Sequence, residues 1–539
     1  MQESPKNKPQ KRKLISVGNV AFLLVVTMLV SQLLGFLRTR LVNANFPATG
    51  PESTGAYFAA FNIPDFFFYT LSAGVLGVAF IPILSDRLHK GDKKGMWELC
   101  SSLLNLLCIA MLVVAAVIFV FAEPLIQNIV APNLSPEQLD TASTIMRFLA
   151  LNPLLFTISG ILTSMQQTMG RFFFFAIAPL FYNLSIITSI YIFKDTDLGI
   201  EGLGLGALIG GIVQLLVVML GLIGTRFRYK PKINWRSLDL RRVLKQLPPR
   251  SVDQGIDQVQ TIVETNFSSR LGTEYISYYN NAYMLQTAPV MLVGTSIATA
   301  AFPRMAGRLS EGRPDLFRRE FLRILRFMIW IIVPVVIVAW FARGYLARLI
   351  FASESPEIAL IFGFLTGAVF FRTLYALISR WFYAQKDTRT PLFVSIFIIL
   401  FVVTVTAILA RPDAYGAAGL AFSVSLAAMV EVLILTIIMI RRDRKLLGNR
   451  EFWSGLARIV SVSGFTVLAG YVAVQLVPLD VSDRGIATLG TKLAAITLVT
   501  FGMHVLMSRL FGLDEPRPIF GKINRLLRYA VKRLRIFRS

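Results

Sequence analysis

The chain has 539 residues, 55% of them hydrophobic and 16% charged, with a mean hydropathy of +0.62. That is too apolar and too sparsely charged for a soluble domain, and the apolar residues fall in runs near the roughly 20 needed to cross a bilayer. The net charge of +24 would point to nucleic acid in a soluble protein, but the basic residues sit in short loops and tails. They read as topology signals and contacts to anionic membrane lipid, with no nucleic-acid partner.

Fourteen or so spans are expected in chain order: 14–42, 57–85, 97–122, 141–169, 172–193, 201–225, 248–271, 276–304, 321–346, 357–384, 391–411, 414–440, 453–477 and 487–510. Residues 1–13 form a basic tail, and Lys11-Arg12-Lys13 before an apolar run resembles a signal peptide. The run is long, ends on Arg38 and Arg40 and has no small-x-small site before them, so it reads as an uncleaved first span. The segments 86–96, 226–247, 304–320, 380–389 and 441–450 are rich in Lys and Arg, whereas 43–56 and 123–140 have none. This alternation places both termini of a multi-pass membrane protein in the cytoplasm. The tail 512–539 is basic again, a topology anchor or a basic amphipathic helix lying on the membrane.

The chain repeats. Ala79-Phe-Ile-Pro82 followed by Asp86-Arg-Leu88 matches Ala301-Phe-Pro303 followed by Gly307-Arg-Leu309. Gln167 to Arg171 before Pro179-Leu-Phe181 matches Gln385 to Arg389 before Pro391-Leu-Phe393. The offset is six spans, an even number, so the halves share one orientation. The expected fold is therefore an all-α integral membrane protein: two six-helix lobes, 14–226 and 248–441, in parallel pseudo-repeat around a central cavity. A basic linker, 227–247, joins them, and two C-terminal helices, 453–511, follow. Pro64, Pro153, Pro289 and Pro334 are expected to bend their helices.

Soluble chemistry is poorly represented. There is no Walker loop, metalloprotease helix or Gly-x-Ser-x-Gly, so the chain reads as a transporter and not an enzyme. Cys100 and Cys108 share one apolar helix, and His89 and His504 read as interfacial polar residues; no metal or other cofactor is implied. Uphill work would draw on a Na⁺ or H⁺ gradient, on the membrane potential or on consumption of product.

Charges inside spans are costly and mark cavities or partners. The candidates are Arg38, Arg40, Asp65, Arg147, Asp253, Asp257, Glu264, Arg372 and Glu431. Asp253, Asp257, Gln260 and Glu264 fall on one face of span seven. They could line the cavity and bind Na⁺ or H⁺, or form a salt-bridge network between helices. Arg38, Arg40, Arg147 and Arg372 could bind a diphosphate through their planar forks, or snorkel to the headgroups.

Several stretches resemble the MurJ/MviN family of lipid II flippases, within the multidrug/oligosaccharidyl-lipid/polysaccharide exporter superfamily. They are Ser31 to Arg38, Ala59 to Pro64, Ala79 to Pro82, Gly294 to Pro303 and, most specifically, Arg380-Trp-Phe-Tyr-Ala-Gln-Lys-Asp-Thr-Arg-Thr-Pro391. The resemblance implies two lobes forming a V, alternating access from inner to outer leaflet, and an undecaprenyl-diphosphate-linked peptidoglycan precursor as substrate. It also implies a lipid-tail groove on the last two helices, a cavity role for Arg38 and a proposed cation site near Glu264. The chain departs from the family at Gln32, usually Arg; Thr39, usually an acid; and Gly55, usually Asp. It departs also at Phe68 and Tyr69, usually a basic pair, at Ala73, usually an acid, and at Met284, usually Arg. These losses keep two alternatives open: an exporter of another polyprenyl-linked glycan or of an amphipathic cation, and a transport-dead scaffold that gathers cell-wall assembly proteins.

Overall fold

The structure is a computed structural model describing residues 17–73, 80–225, 227–351, 355–446, 448–483 and 485–516. The expected tail 1–13 lies outside the described residues, as do residues 517–539 of the expected tail 512–539. Every regular element described is helical. The first half comprises α1 (Val17–Asn45), α2 (Thr54–Phe68), α3 (Ile81–His89), α4 (Lys93–Val120), α5 (Ala122–Leu125), α6 (Pro136–Leu149), α7 (Asn152–Thr168), α8 (Phe173–Phe193) and α9 (Glu201–Leu220). The second comprises α10 (Leu238–Leu271), α11 (Thr273–Pro289), α12 (Ser296–Ser310), α13 (Pro314–Phe341), α14 (Arg343–Phe351), α15 (Ser355–Ala384), α16 (Arg389–Leu409) and α17 (Gly416–Arg442). Two further helices follow, α18 (Arg450–Leu476) and α19 (Gly485–Leu510).

Among the described residues twelve helices are long and apolar enough to cross a membrane. They coincide with twelve of the expected spans. The other two positions are also helical. Around 57–85, α2 continues as a π-helical turn, Tyr69–Ala73. Around 248–271 lies α10, which starts ten residues early, inside the expected linker, and is too polar to meet the apolar criterion.

Proline acts in different ways along these helices. Pro289 ends α11, and the chain widens into a π-helical segment, Val290–Thr295, before α12. That is the expected response to a missing N–H and a clashing ring. Pro153 lies within the candidate span Pro136–Thr168, at a break in its helix. It stands in the first turn of α7, where no intrahelical N–H is needed, after a break that separates α7 from α6.

Contacts divide the chain into two compact units. The first unit contains residues 1–45, 63–122 and 143–255. Its core packs Phe80, Leu84, Met96, Trp97, Leu103 and Met165 between α3, α4 and α7. The second contains 46–62, 123–142 and 256–539. Its core is built on Phe321, Met328, Trp330, Leu377, Trp381 and Phe382 from α13 and α15. α18 and α19 attach to this unit through Val338, Ala342 and Tyr345 against Ala473, Leu489 and Ile496. Their other faces leave Val460, Leu468, Leu476 and Leu498 exposed, as lipid-facing residues require.

The repeat is visible in the backbone of each unit. In the first, α7 ends with Gly170 at φ 72° and Arg171 N donating to Gln166 O at 2.9 Å. In the second, α15 ends with Lys386 at φ 62° and Asp387 N donating to Phe382 O at 3.0 Å. This is the same left-handed cap twice, made once by Gly and once by Lys. The turn after α3 has Gly91 at φ 74°, and the turn after α12 has Gly312 at φ 70°. Each is followed two residues later by a new helix, at Lys93 and at Pro314.

Asp387 organises the turn that opens α16. It accepts from the backbone N–H groups of Arg389 and Thr390, each at 3.0 Å, and from the Thr390 hydroxyl at 2.6 Å. Arg442, at the end of α17, donates to Asp387 at 2.5 Å and lies over the Phe382 ring. The most family-specific stretch of the sequence is thus a brace between three helix ends.

Candidate functional site

The second unit holds a polar cluster inside its helices. Glu264 on α10 is 2% exposed and accepts from Gln260 Nε2 at 2.6 Å. The i, i+4 spacing read from the sequence produces this bond directly. Asp257, two turns before Glu264, is exposed, and the side chain of Asp253 lies outside the described residues. Arg372 on α15 interacts electrostatically with Tyr283, Glu264, Asp257 and Glu431. Its Nε is fully buried with no acceptor. Glu431 on α17 accepts from Ser395 at 2.8 Å.

One guanidinium is therefore within electrostatic reach of three carboxylates, and the excess negative charge calls for a proton or a cation. No group of three or more His, Cys, Asp or Glu side chains among the described residues is arranged to hold a metal ion. The polar tyrosines of α11 complete the cluster: Tyr279 and Tyr283 stack at 6.5 Å, and the buried Tyr279 hydroxyl is directed at the Glu264 carboxylate. Sequence reasoning passed over them because tyrosines in a span carry no charge signal.

The other candidate arginines belong to the first unit. Arg38 and Arg40 are half-buried on α1, and Arg147 is half-buried on α6. None of the three has a hydrogen bond or ion pair to another side chain among the described residues, although Asp65 lies within electrostatic reach of Arg38. Arg147 and Arg372 lie in corresponding spans but are not register equivalents. Arg372 stands twelve residues before the end of α15, Arg147 twenty-one before the end of α7.

A third set of contacts lies inside the second unit and joins segments from both halves of the sequence. Thr54 donates to Ser277 Oγ at 2.8 Å. Gln138 Nε2 donates to Gly50 O at 3.0 Å and to Thr273 Oγ1 at 3.2 Å, and Asn266 Nδ2 donates to Ile129 O at 2.8 Å. Gly55 sits in this seam, and a Cβ built there would come 2.4 Å from Thr273 O. Here, where the family usually has Asp, the packing admits no side chain at all. At Phe68, the place of an expected basic residue, the ring packs edge-on against Phe156 at 5.5 Å, and Phe156 in turn against Tyr182 at 5.3 Å.

Two histidines behave differently from one another. His89 is exposed, as an interfacial residue should be. His504 is not interfacial. It is fully buried, 2.9 Å from Thr466 Oγ1 and packed on Trp330, because α18, α19 and α13 close around it.

A family model described as Lipid II flippase MurJ matches residues 49–480. A probable lipid II flippase MurJ of Buchnera aphidicola subsp. Acyrthosiphon pisum (strain APS) is 26% identical over 490 residues, 88% of this chain and 93% of its own. Another of that description, from Rhizobium meliloti (strain 1021), is 24% identical over 522 residues, covering 93% of this chain and 94% of its own. The solved structure of a lipid II flippase MurJ in an inward closed conformation superposes with a TM-score of 0.75 at 21% identity. That match covers 93% of this chain and all of that one.

Proposed function

Because this chain belongs to the lipid II flippase MurJ family, we propose that it carries lipid II from the inner to the outer leaflet of the cytoplasmic membrane by alternating access. The observation that carries this reading is that the family match, 49–480, runs through both halves of the repeat. A repeat transporter needs both halves, since its substrate sits between them.

The residues divide into two roles. Arg38, Arg40 and Arg147 bind the diphosphate, because they are half-buried, span-embedded and not engaged by other side chains. Glu264, Gln260 and Asp257 form the coupling site for Na⁺ or H⁺. Arg372 belongs with this second set, because carboxylates and a tyrosine surround it. α18 and α19 take the lipid tail along their exposed apolar faces. The seam at Thr54 and Ser277 opens when substrate leaves on the outer side. Both termini lie in the cytoplasm, from the alternation of loop charge.

Variants expressed in a strain depleted of its own flippase test the division of roles. Arg38→Ala is expected to abolish growth, while Asp257→Asn is expected to slow transport and alter its dependence on the ion gradient. A silent Arg38→Ala with transport intact would remove Arg38 from the substrate site.

A further inference from the structure

The repeat allows α4 and α13 to be compared position by position, since each begins two residues after the same glycine turn. On α4 the sixth, ninth, tenth and thirteenth residues are Glu98, Ser101, Ser102 and Asn105, and all four bind the linker that follows α9. Lys230 Nζ donates to Glu98 at 2.5 Å and Lys230 N to Ser101 Oγ at 3.1 Å. Asn234 N donates to Ser102 Oγ at 3.1 Å, and Asn105 Nδ2 to Lys230 O at 2.8 Å. The same positions on α13 are Arg319, Leu322, Arg323 and Arg326. There the face opens on a cavity of about 200 Å³ closed by Asn449, Glu451 and Phe452. A second cavity of about 690 Å³ shares Arg323, Arg326 and Glu451 with it. This size is typical of a small-molecule site. One wall is apolar, made by Ile297, Ala300, Ala301, Ile324 and Phe327.

The charges around the two cavities balance: Arg304, Arg319, Arg323 and Arg326 against Glu320, Glu451, Asp514 and Glu515. Their engagement is unequal. Arg326 is held by Glu515 and by Glu451, and Glu320 is 3.8 Å from Arg308. Arg304, Arg319 and Arg323 are exposed and have no ion pair or hydrogen bond to another side chain among the described residues. Glu515 is 6% exposed, and its Oε2 is buried with no donor. The site thus offers free guanidinium donors for a phosphate and, beside them, an acceptor that lacks an N–H. A purely anionic headgroup would leave Glu515 Oε2 without a donor. A quaternary ammonium has no hydrogen to give Glu515.

We propose that these adjoining cavities bind a phospholipid whose headgroup carries both a phosphodiester and a primary ammonium, the phosphatidylethanolamine class. The phosphate sits on Arg304 and Arg323, the ammonium turns to Glu515, and an acyl chain follows the apolar wall. The basic segment 304–320 places the site at the cytoplasmic leaflet. This inference does not depend on what the chain transports.

Native mass spectrometry of the full-length protein in detergent tests it, with phosphatidylethanolamine, phosphatidylcholine and phosphatidylglycerol of identical chains in equal amounts. Phosphatidylethanolamine should be retained over the other two by about tenfold, the effect of one charge-assisted hydrogen bond. The exposed pair Arg304→Ala and Arg323→Ala should abolish that retention with the fold intact. Glu515→Gln should erase the preference over phosphatidylcholine; should that variant fail to fold, the arginine pair decides. Equal or better retention of phosphatidylglycerol or phosphatidylcholine would overturn the proposal, as would an unchanged arginine double variant. Competition by soluble glycerophosphoethanolamine as effective as by the lipid would refute the role of the apolar wall. Displacement by polyprenyl diphosphate at matched concentration would assign the cavity to the transported lipid instead.

Discussion

Thr54 and Ser277, 223 residues apart in the chain, share a hydroxyl–hydroxyl hydrogen bond of 2.8 Å, and both residues are 1% exposed. Two neighbours reinforce it, Gln138 bonded to Gly50 and Asn266 bonded to Ile129. The proposed alternating access requires such bonds to break and reform, and neutral bonds worth about 0.5–1.5 kcal/mol each suit that task.

Gly55→Ala should weaken the seam, because the new methyl group meets backbone at Thr273 and not a side chain that can turn away. Overpacking of this kind costs about 1–3 kcal/mol. In a Ser277→Cys background, labelling by an impermeant maleimide from outside should accelerate at least about fivefold. An unchanged rate would mean that the seam is not the outer closure.

Arg38→Lys and Arg38→Ala should differ less from each other than either does from the parent. A lysine keeps the charge and loses the planar fork that matches a diphosphate. Rescue of a flippase-depleted strain by each variant at equal expression measures this. Full rescue by lysine would reduce the role of Arg38 to charge alone.

Glu264 and Arg372 should behave as a coupled pair. Arg372→Met alone leaves the carboxylates of the cluster without their cation, a loss of about 3–5 kcal/mol, whereas Glu264→Gln removes part of the excess negative charge and should cost less. The double variant should recover part of that loss, giving a coupling of about 0.5–3 kcal/mol in thermal unfolding. Strict additivity would show that they act independently.

Asp387 lies outside the spans. Burial opposes its ionisation, and hydrogen bonds from Thr390 and Arg442 outweigh burial, holding the carboxyl down to about 2. A depressed carboxylate stabilises above its ordinary pKa of about 4, and that stability is lost as pH falls through the folded value. The melting difference between the parent and Asp387→Asn should therefore be constant from neutral pH down to about pH 5. It should shrink below about pH 4 and vanish near pH 2. A gap that closes at higher pH would contradict the brace seen at Arg442.

The spans and the repeat were legible because bilayer thickness and loop charge act on every segment alike. The turns after α3 and α12 were legible too: Asp86-Arg-Leu88 and Gly307-Arg-Leu309 do precede matching glycine turns. The partner of a charged face was not. Periodicity placed Gln260 and Glu264 together but could not show that Tyr279, Tyr283 and Arg372 surround them, since those contacts cross helices far apart in sequence. Gly55 looked like a lost acid, and its reason became visible only with the backbone of Thr273 beside it. His504 looked interfacial by its place near a helix end, but the packing of three helices buries it.

Lipid II exposure in a strain depleted of its own flippase and expressing this chain is the most direct test. A lipid II-cleaving toxin added outside reports whether the precursor reaches the outer leaflet. The account predicts restored growth together with toxin-accessible lipid II, both lost with Arg38→Ala. Membrane-inserted protein with no restored growth and no accessible lipid II would contradict it, and would return the cavity to another cargo or the chain to a scaffold role.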